Sequence, residues 1–137
     1  MSQSRIKKTP SVIFDSKSTT GTGNIIEVSD FRHLVIVLSS QGSANGTVKL
    51  AGSYEQSIDD VDFSTAASAT NLWDFVAMYN LQNPSSIIPG DTGVVYAGTD
   101  AVEQLLVNVD GIKFITLNIT AISAGSFNAK VLGYSNL

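Results

Sequence analysis

Two segments decide the fold: DFRHLVIVLSSQGSANGTVKLAGSY (residues 30–54) and DGIKFITLNITAISAGSFNAKVLGYS (residues 110–135). Each begins with an aspartate and a basic residue, runs through apolar and then small residues, and ends on a lysine, an aliphatic residue, a spacer and a glycine. β-Branched runs favour strands, and Asn45-Gly46 is typical of a tight turn. Each segment therefore predicts a β-hairpin. We interpret their likeness as shared hairpin chemistry rather than as a proven duplication.

Strand signals also dominate the rest of the chain, and no window has a convincing helical period. Residues 33–39 are nearly all apolar, as in a strand that is covered on both faces. Residues 55–70 are polar and predict a long loop, and residues 71–81 favour a strand over a short helix. The predicted fold is all-β: a jelly-roll-like β-sandwich of about eight antiparallel strands. The predicted strands are residues 12–15, 24–28, 33–39, 47–54, 71–81, 93–97, 102–109, 113–121 and 126–134.

The composition predicts one domain over residues 11–137, after a flexible arm over residues 1–10. The chain has 137 residues, of which 43% are hydrophobic and 15% are charged, which is typical of a folded domain rather than a disordered segment. No apolar run is long enough to span a membrane, and we expect no signal peptide at the start. The sequence contains no cysteine, so disulfides, thiolate metal sites and cysteine nucleophiles are excluded.

The charge is unevenly distributed. Arg5, Lys7 and Lys8 lie in the first ten residues, which contain no acidic residue. The remainder has five basic and twelve acidic side chains, a net charge near −7. This argues against nucleic-acid binding, which needs a basic face. We expect the basic arm to contact an acidic partner surface, and an inert terminus is the alternative.

No catalytic residue or cofactor is predicted, so we expect the chain not to be an enzyme. His33 is the single histidine, and one histidine at the head of an apolar strand makes neither a multi-histidine metal site nor a serine–histidine relay. Glycoside hydrolysis needs two acids in one cleft. Asp74, Asp91 and Asp100 are the candidates, but their spacing does not bring them together.

Two binding alternatives stay open. Asp59, Asp60 and Asp62 are close together in the sequence, as calcium ligands are, but the EF-hand pattern is absent, and we predict a solvated loop without a metal. Trp73 and the tyrosines at positions 54, 79 and 96 are candidates for stacking on sugar rings. Packing within the core or between subunits explains these aromatic residues more simply.

The segment IIPGDTGVVYAGTD (residues 87–100) predicts a turn, a short strand and a second turn. It lacks the phosphate-loop pattern and the following helix that would hold a phosphate. Its proline, glycines and aspartates are turn residues. We therefore expect this segment to serve packing. The residues predicted to contact a second subunit or another partner are Trp73, Tyr79, Val94, Val95 and Tyr96.

The run from Trp73 through YNLQN, GDTGVVYAGTD and LLVNVDGIKFITLNITAISAGSFNAKVLGYS resembles small all-β structural proteins of tailed bacteriophages. So does the pairing of VKLAGSYEQSIDDVDF (residues 48–63) with VNVDGIKFITLNIT (residues 107–120). The resemblance spans most of the chain from Phe31 onward and includes no active-site residues.

This resemblance implies a capsid decoration (cement) protein that forms a homo-oligomer, most simply a trimer, and binds the major capsid protein. The expected location is the capsid surface of the virion, after synthesis in the host bacterial cytoplasm. A head- or tail-fibre component, a tail adaptor, and a module that binds host glycans are the alternatives.

Overall fold

A computed structural model describes residues 4–6, 11–65, 67–68 and 70–136, and this part of the chain is all-β, as predicted. One 3-10 turn, Ile58–Asp60, lies among the strands, and the described residues include no helix that could cross a membrane. The strands belong to one hydrogen-bonded sheet. They are β1 (Ser4–Ile6), β2 (Ser11–Lys17), β3 (Gly21–Thr22), β4 (Ile26–Glu27), β5 (His33–Ser53), β6 (Asp74–Val76), β7 (Met78–Asn80), β8 (Ile87–Ile88), β9 (Val94–Ala97), β10 (Val102–Asn108) and β11 (Phe114–Asn136).

The two predicted hairpins are wrong, because each segment forms one long strand, β5 or β11. Asn45-Gly46 does not turn the chain, since these residues continue the ladder and pair with Ala97 and Tyr96 of β9. The register between β5 and β11 shifts near the middle of the ladder. Gly42, Ser43 and Gly125 have positive φ angles there, so the irregularity falls just beside the predicted turn.

β5 and β11 pair with each other, antiparallel, with a local two-fold symmetry. Lys49 pairs with Asn118, and Lys130 pairs with Val37. Lys49 and Lys130 lie 81 positions apart, and so do Val37 and Asn118. The end of each segment therefore does not fold back to pair with the start of the same segment. It pairs with the apolar start of the other segment.

Hydrogen bonds beyond the ladder repeat at the same spacing. The backbone N–H of Val28 donates to Lys113 O at 2.7 Å, and that of Val109 donates to Arg32 O at 2.9 Å. The two donors and the two acceptors are again 81 positions apart. Residues 11–134 thus comprise a first repeat (residues 11–53), an insertion (residues 54–91) and a second repeat (residues 92–134). This symmetric architecture replaces our interpretation of the sequence likeness as hairpin chemistry alone.

Two half-sheets share a common core. The first half-sheet contains the start of β5 and the end of β11, with β1, β2, β7, β8 and β10. The second contains the end of β5 and the start of β11, with β3, β4, β6 and β9. One buried cluster takes residues from both half-sheets, and within it the rings of Tyr96 in β9 and Phe127 in β11 have centroids 5.1 Å apart. Because β5 and β11 run through both half-sheets, the strands do not divide into two separate sheets.

The insertion adds three short strands and the 3-10 turn. The predicted strand over residues 71–81 is split into β6 and β7, which lie on either side of Ala77. β6 pairs with the second half-sheet through β5, and β7 pairs with the first through β10.

The predicted turn, strand and turn over residues 87–100 are confirmed. Gly93 N donates to Pro89 O at 3.1 Å before β9, and Gly98 N donates to Ala44 O at 2.9 Å after it. Both glycines have positive φ angles, which glycine adopts without strain. The segment therefore enters and leaves β9 through turns.

Two glycines mark symmetric close contacts between the repeats. A Cβ on Gly133 would lie 2.6 Å from the ring of Phe31. A Cβ on Gly52 would lie 2.9 Å from Val76 of the insertion and 3.4 Å from Ile112. Gly52 and Gly133 are related by the 81-residue spacing, and so are Phe31 and Ile112. Each repeat therefore packs a large side chain near the glycine at the end of the other repeat's long strand.

We expect Gly133→Ala to destabilise the fold by about 1–3 kcal/mol, because the methyl group overlaps the Phe31 ring in a packed region. Urea unfolding followed by circular dichroism measures the change. Phe31→Ala removes the ring, so adding Gly133→Ala to that variant should cost clearly less than it costs the original chain. Equal costs in both backgrounds would contradict this packing.

Candidate interaction surface

The insertion covers part of the outer face of the second half-sheet. Ala51 of β5 and Phe114 of β11 lie outside the common core and form a second buried cluster with Phe63 and Trp73. The rings of Phe63 and Trp73 have centroids 5.7 Å apart, and the Phe75 ring contacts Trp73 edge-on at 5.0 Å. The insertion therefore covers the part of this face around Ala51 and Phe114.

The outer face of the first half-sheet carries an apolar row that crosses five strands. The row follows the register of the sheet, with one residue from each of β8, β7, β10, β5 and β11. The adjacent residues along β5 and β10 point into the core, since side chains alternate between the two faces of a sheet. No member of the row belongs to either buried cluster of the described residues. The apolar row is Ile87, Tyr79, Leu106, Val35 and Leu132.

Comparison of symmetry-equivalent positions shows that the apolar row lacks a cover. The 81-residue spacing relates Val35 to Thr116 and Ala51 to Leu132. Thr116 and Ala51 are fully buried, whereas Val35 and Leu132 are only partly buried. These two outer positions are thus covered in the second half-sheet and open in the first. In both pairs the larger aliphatic side chain lies on the open side.

The surroundings of the apolar row carry little charge. The outward positions beside it on β5, β10 and β11 hold a lysine but no carboxylate. The chain as a whole has twelve acidic residues, so the lack of acids is local to these outward positions. The positions are His33, Val37, Ser39, Val102, Gln104, Asn108, Asn128, Lys130 and Tyr134.

The structure separates the five residues predicted to contact a partner. Trp73, Val94 and Tyr96 are buried within the chain, at 5%, 8% and 4% exposure. Tyr79 is 37% exposed and Val95 is 63% exposed. Tyr79 belongs to the apolar row, while Val95 lies on β9 in the second half-sheet. Contact with a partner stays a prediction, and of these five only Tyr79 and Val95 present substantial surface to one.

Tyr96 has an unusual environment for a buried tyrosine. Its hydroxyl finds no hydrogen-bond partner among the described residues. Burial raises the pKa of this hydroxyl well above its usual range, and the negative charge of Glu103 adds to the shift. The ring therefore serves the packing between half-sheets while the hydroxyl stays neutral.

The predicted basic arm is described in part. The backbone of Arg5 lies in β1, which pairs with the end of β11. Lys7 and Lys8 lie outside the described residues. A partner contact through the three basic side chains therefore stays a prediction.

An open cleft of about 560 Å³ lies between the insertion and the second half-sheet. Tyr54 at its side is 66% exposed, and Glu55, Asp74 and Asn108 also line it. Leu72 in the same lining has a φ of +62°, a left-handed backbone that bulky residues rarely adopt. Ser53 Oγ donates to Leu72 O at 2.6 Å and holds this conformation. Strained residues of this kind cluster at ligand sites.

The acidic candidates are dispersed. Among the described residues, no three histidine, aspartate or glutamate side chains come together as a metal site would require. Asp62 Oδ1 accepts the backbone N–H of Ser64 at 3.1 Å, and Asp74 Oδ1 accepts that of Phe75 at 2.8 Å. Both carboxylates thus bind backbone next to them in the chain.

Asp100 supports the irregular middle of β5. Its two carboxylate oxygens accept the backbone N–H groups of Ser43 and Ala44, each at 3.0 Å. These hydrogen bonds, that from Ala44 first, hold the pKa of the Asp100 carboxyl below its usual value. The side chain that was a candidate catalytic acid is therefore a backbone clamp.

The fold is similar to that of a known structure, the SPBc2 prophage-derived protein YomS. The TM-score is 0.63, the sequences are 11% identical, and the match covers 98% of this chain and 96% of the other. The likeness in fold therefore includes both repeats and the insertion. No model of a known protein family and no curated protein matches the sequence.

We expect Asp100→Asn to lower the thermal midpoint at neutral pH and to flatten its acid dependence. The depressed pKa means that the ionised carboxylate stabilises the folded chain above its unfolded pKa of about 3.9. This contribution is lost as the pH falls through the lower folded pKa. Thermal melts from pH 7 to pH 2 measure both effects. Asp91→Asn is a control, and a midpoint at pH 7 that is the same for Asp100→Asn and the original chain would contradict the clamp.

Proposed function

We propose that the chain is a non-enzymatic structural protein of a tailed phage, a capsid decoration (cement) protein that forms a homo-oligomer on the head surface. The fold shared over nearly the whole chain with a prophage-derived protein carries this proposal. The sequence resemblance to phage structural proteins supports it. So does the open, nearly uncharged apolar row, because a shell component needs surfaces that bind other subunits.

In this proposal the sheet, whose two halves share one core, is a variant of the jelly-roll-like sandwich. The resemblance to phage structural proteins favours a trimer. The major capsid protein is the partner, and the basic side chains Arg5, Lys7 and Lys8 bind acidic patches on it. Each contact is weak by itself, and several arms in one oligomer add through avidity. The expected site of action is the surface of the virion, after synthesis in the bacterial cytoplasm.

Binding to capsids tests the proposal. Particles of the phage that encodes the chain, stripped of it, should bind the purified protein to saturation and become harder to disrupt by heat. Replacing Arg5, Lys7 and Lys8 by serine should lower the affinity about tenfold, because each exposed ion pair contributes up to about 1 kcal/mol. The loss should shrink at high salt.

A control variant with Lys17, Arg32 and Lys113 replaced by serine has the same net charge and an intact arm. Equal losses for the two triple variants would contradict the role of the arm. Particles that neither contain the chain by mass spectrometry nor bind it would contradict the decoration function itself. The alternative of a neck or tail adaptor predicts a location there by electron microscopy.

The cleft beside Tyr54 favours a second candidate, a module on a fibre that binds host glycans. An exposed tyrosine ring beside carboxylates and an amide can bind a sugar through stacking and hydrogen bonds. Trp73 cannot itself be the stacking platform, since it is 5% exposed and packed between Phe63 and Phe75. Tyr54 is the residue that tests this function.

If the chain binds glycans, Tyr54→Ala should reduce the signal on a glycan array at least about tenfold, because it removes the exposed ring of the cleft. The fold should survive, since the ring is mostly in water. Tyr54→Phe keeps the ring and should keep most of the signal. If Tyr54→Ala binds glycans as well as the original chain does, or if the original chain does not bind them, this cleft is excluded as a glycan site.

A further inference from the structure

The face that contains the apolar row has the dimensions of a protein interface. Five strands spaced about 4.8 Å apart span roughly 20–25 Å across the sheet. Along the strands, the apolar row and the outward residues on either side of it span roughly 20 Å. The face therefore covers roughly 500 Å² in projection. Two such faces in contact bury roughly 1,000 Å², which is the size at which specific interfaces begin.

The charge pattern of this face indicates which kind of partner fits it. The outward positions beside the row on β5, β10 and β11 lack carboxylates, and Lys130 is the one residue among them with a full charge. This face does not complement a strongly charged partner, but it complements another uncharged apolar face. The chain itself supplies such a face, identical in shape and always present at the same concentration. An oligomer that buries it also explains the aliphatic residues at positions where the covered half-sheet has Ala51 and Thr116.

We infer that the apolar row lies at the symmetry axis of a homo-oligomer, where the row of each copy packs against the same row of its neighbours. In a dimer the two rows face each other across the axis, and in a trimer the three rows converge on it. Tyr79 and Ile87, which are 37% and 55% exposed in the single chain, are buried in the assembly. The inference rests on the homo-oligomer of the proposed function and adds the surface that forms it.

Charge substitutions in the row test the inference. Leu106→Lys places a charge in the middle of the row and should weaken self-association at least about tenfold, because a buried, unpaired charge is costly. Ile87→Lys makes the same change on the edge strand β8, where the side chain is mostly exposed and the fold tolerates it. Sedimentation velocity and light scattering at micromolar concentration give the masses, and circular dichroism checks the fold.

The local symmetry provides a matched control. Ile25 lies 81 positions before Leu106 and is 43% exposed, so Ile25→Lys makes the same change at the equivalent position of the other half-sheet. We expect the original chain and Ile25→Lys to be oligomers and both row variants to be monomers. An original chain that is monomeric, or row variants that keep the oligomeric mass, would overturn the inference.

Cross-linking locates the contact. The sequence has no cysteine, so Tyr79→Cys or Leu106→Cys introduces a single thiol, and mild oxidation should link copies whose rows meet. Ile25→Cys should remain a single chain on a non-reducing gel. Links through Ile25→Cys but not through the row would also overturn the inference.

The failure of the inference and that of the proposed function are distinguishable. Capsid binding by a chain that is monomeric in solution would leave the decoration function standing and would count against the row as an interface. An oligomer that forms through the row but does not bind capsids would count against the decoration function alone.

Discussion

The ladder between β5 and β11 is the constraint on which the rest of the structure depends. Both strands run through both half-sheets, so their pairing sets the position of the other strands. A sheet with one apolar face must bury it. Here the two halves of the same sheet share one core, and the register shifts lie where Gly42, Ser43 and Gly125 have positive φ angles. Asp100 binds two backbone N–H groups at this point, because unpaired backbone groups are costly.

The two-fold symmetry of the repeats is broken by the insertion, which makes the two outer faces of the sheet different. Two symmetric repeats would present the same outer face twice. The insertion packs Phe63 and Trp73 on one of these faces and extends the other half-sheet with β7 and β8. One face is thus partly covered and the other is enlarged. The two outer faces therefore differ, although the two repeats are related by symmetry.

Local residue patterns predict the turns of this fold, but they do not predict which strands pair over long distances in the sequence. The turns around Gly93 and Gly98 follow from glycines that adopt positive φ angles, and the sequence showed them directly. The recurrence of the lysine–aliphatic–spacer–glycine pattern was also visible. Its meaning was not, because Asn45-Gly46 has the same local signature in a hairpin turn and in a continuous strand beside a bend. Only the partner strands, β9 and β11, distinguish the two. Likewise, composition does not tell that Trp73 and Tyr96 are buried while Tyr79 is exposed.

The residues of the candidate surface did leave a signal in the sequence. In residues 33–38 both alternating sets contain apolar residues, which is typical of a strand covered on both faces. Leu34, Ile36 and Leu38 account for one set, since they lie in the core. The other set contains Val35 and Val37, which no buried cluster of the described residues includes. Residues selected only for solubility would be polar at those positions, as Asn118 is at the symmetric equivalent of Val37. The homo-oligomer that we infer would cover this second apolar set from outside the single chain.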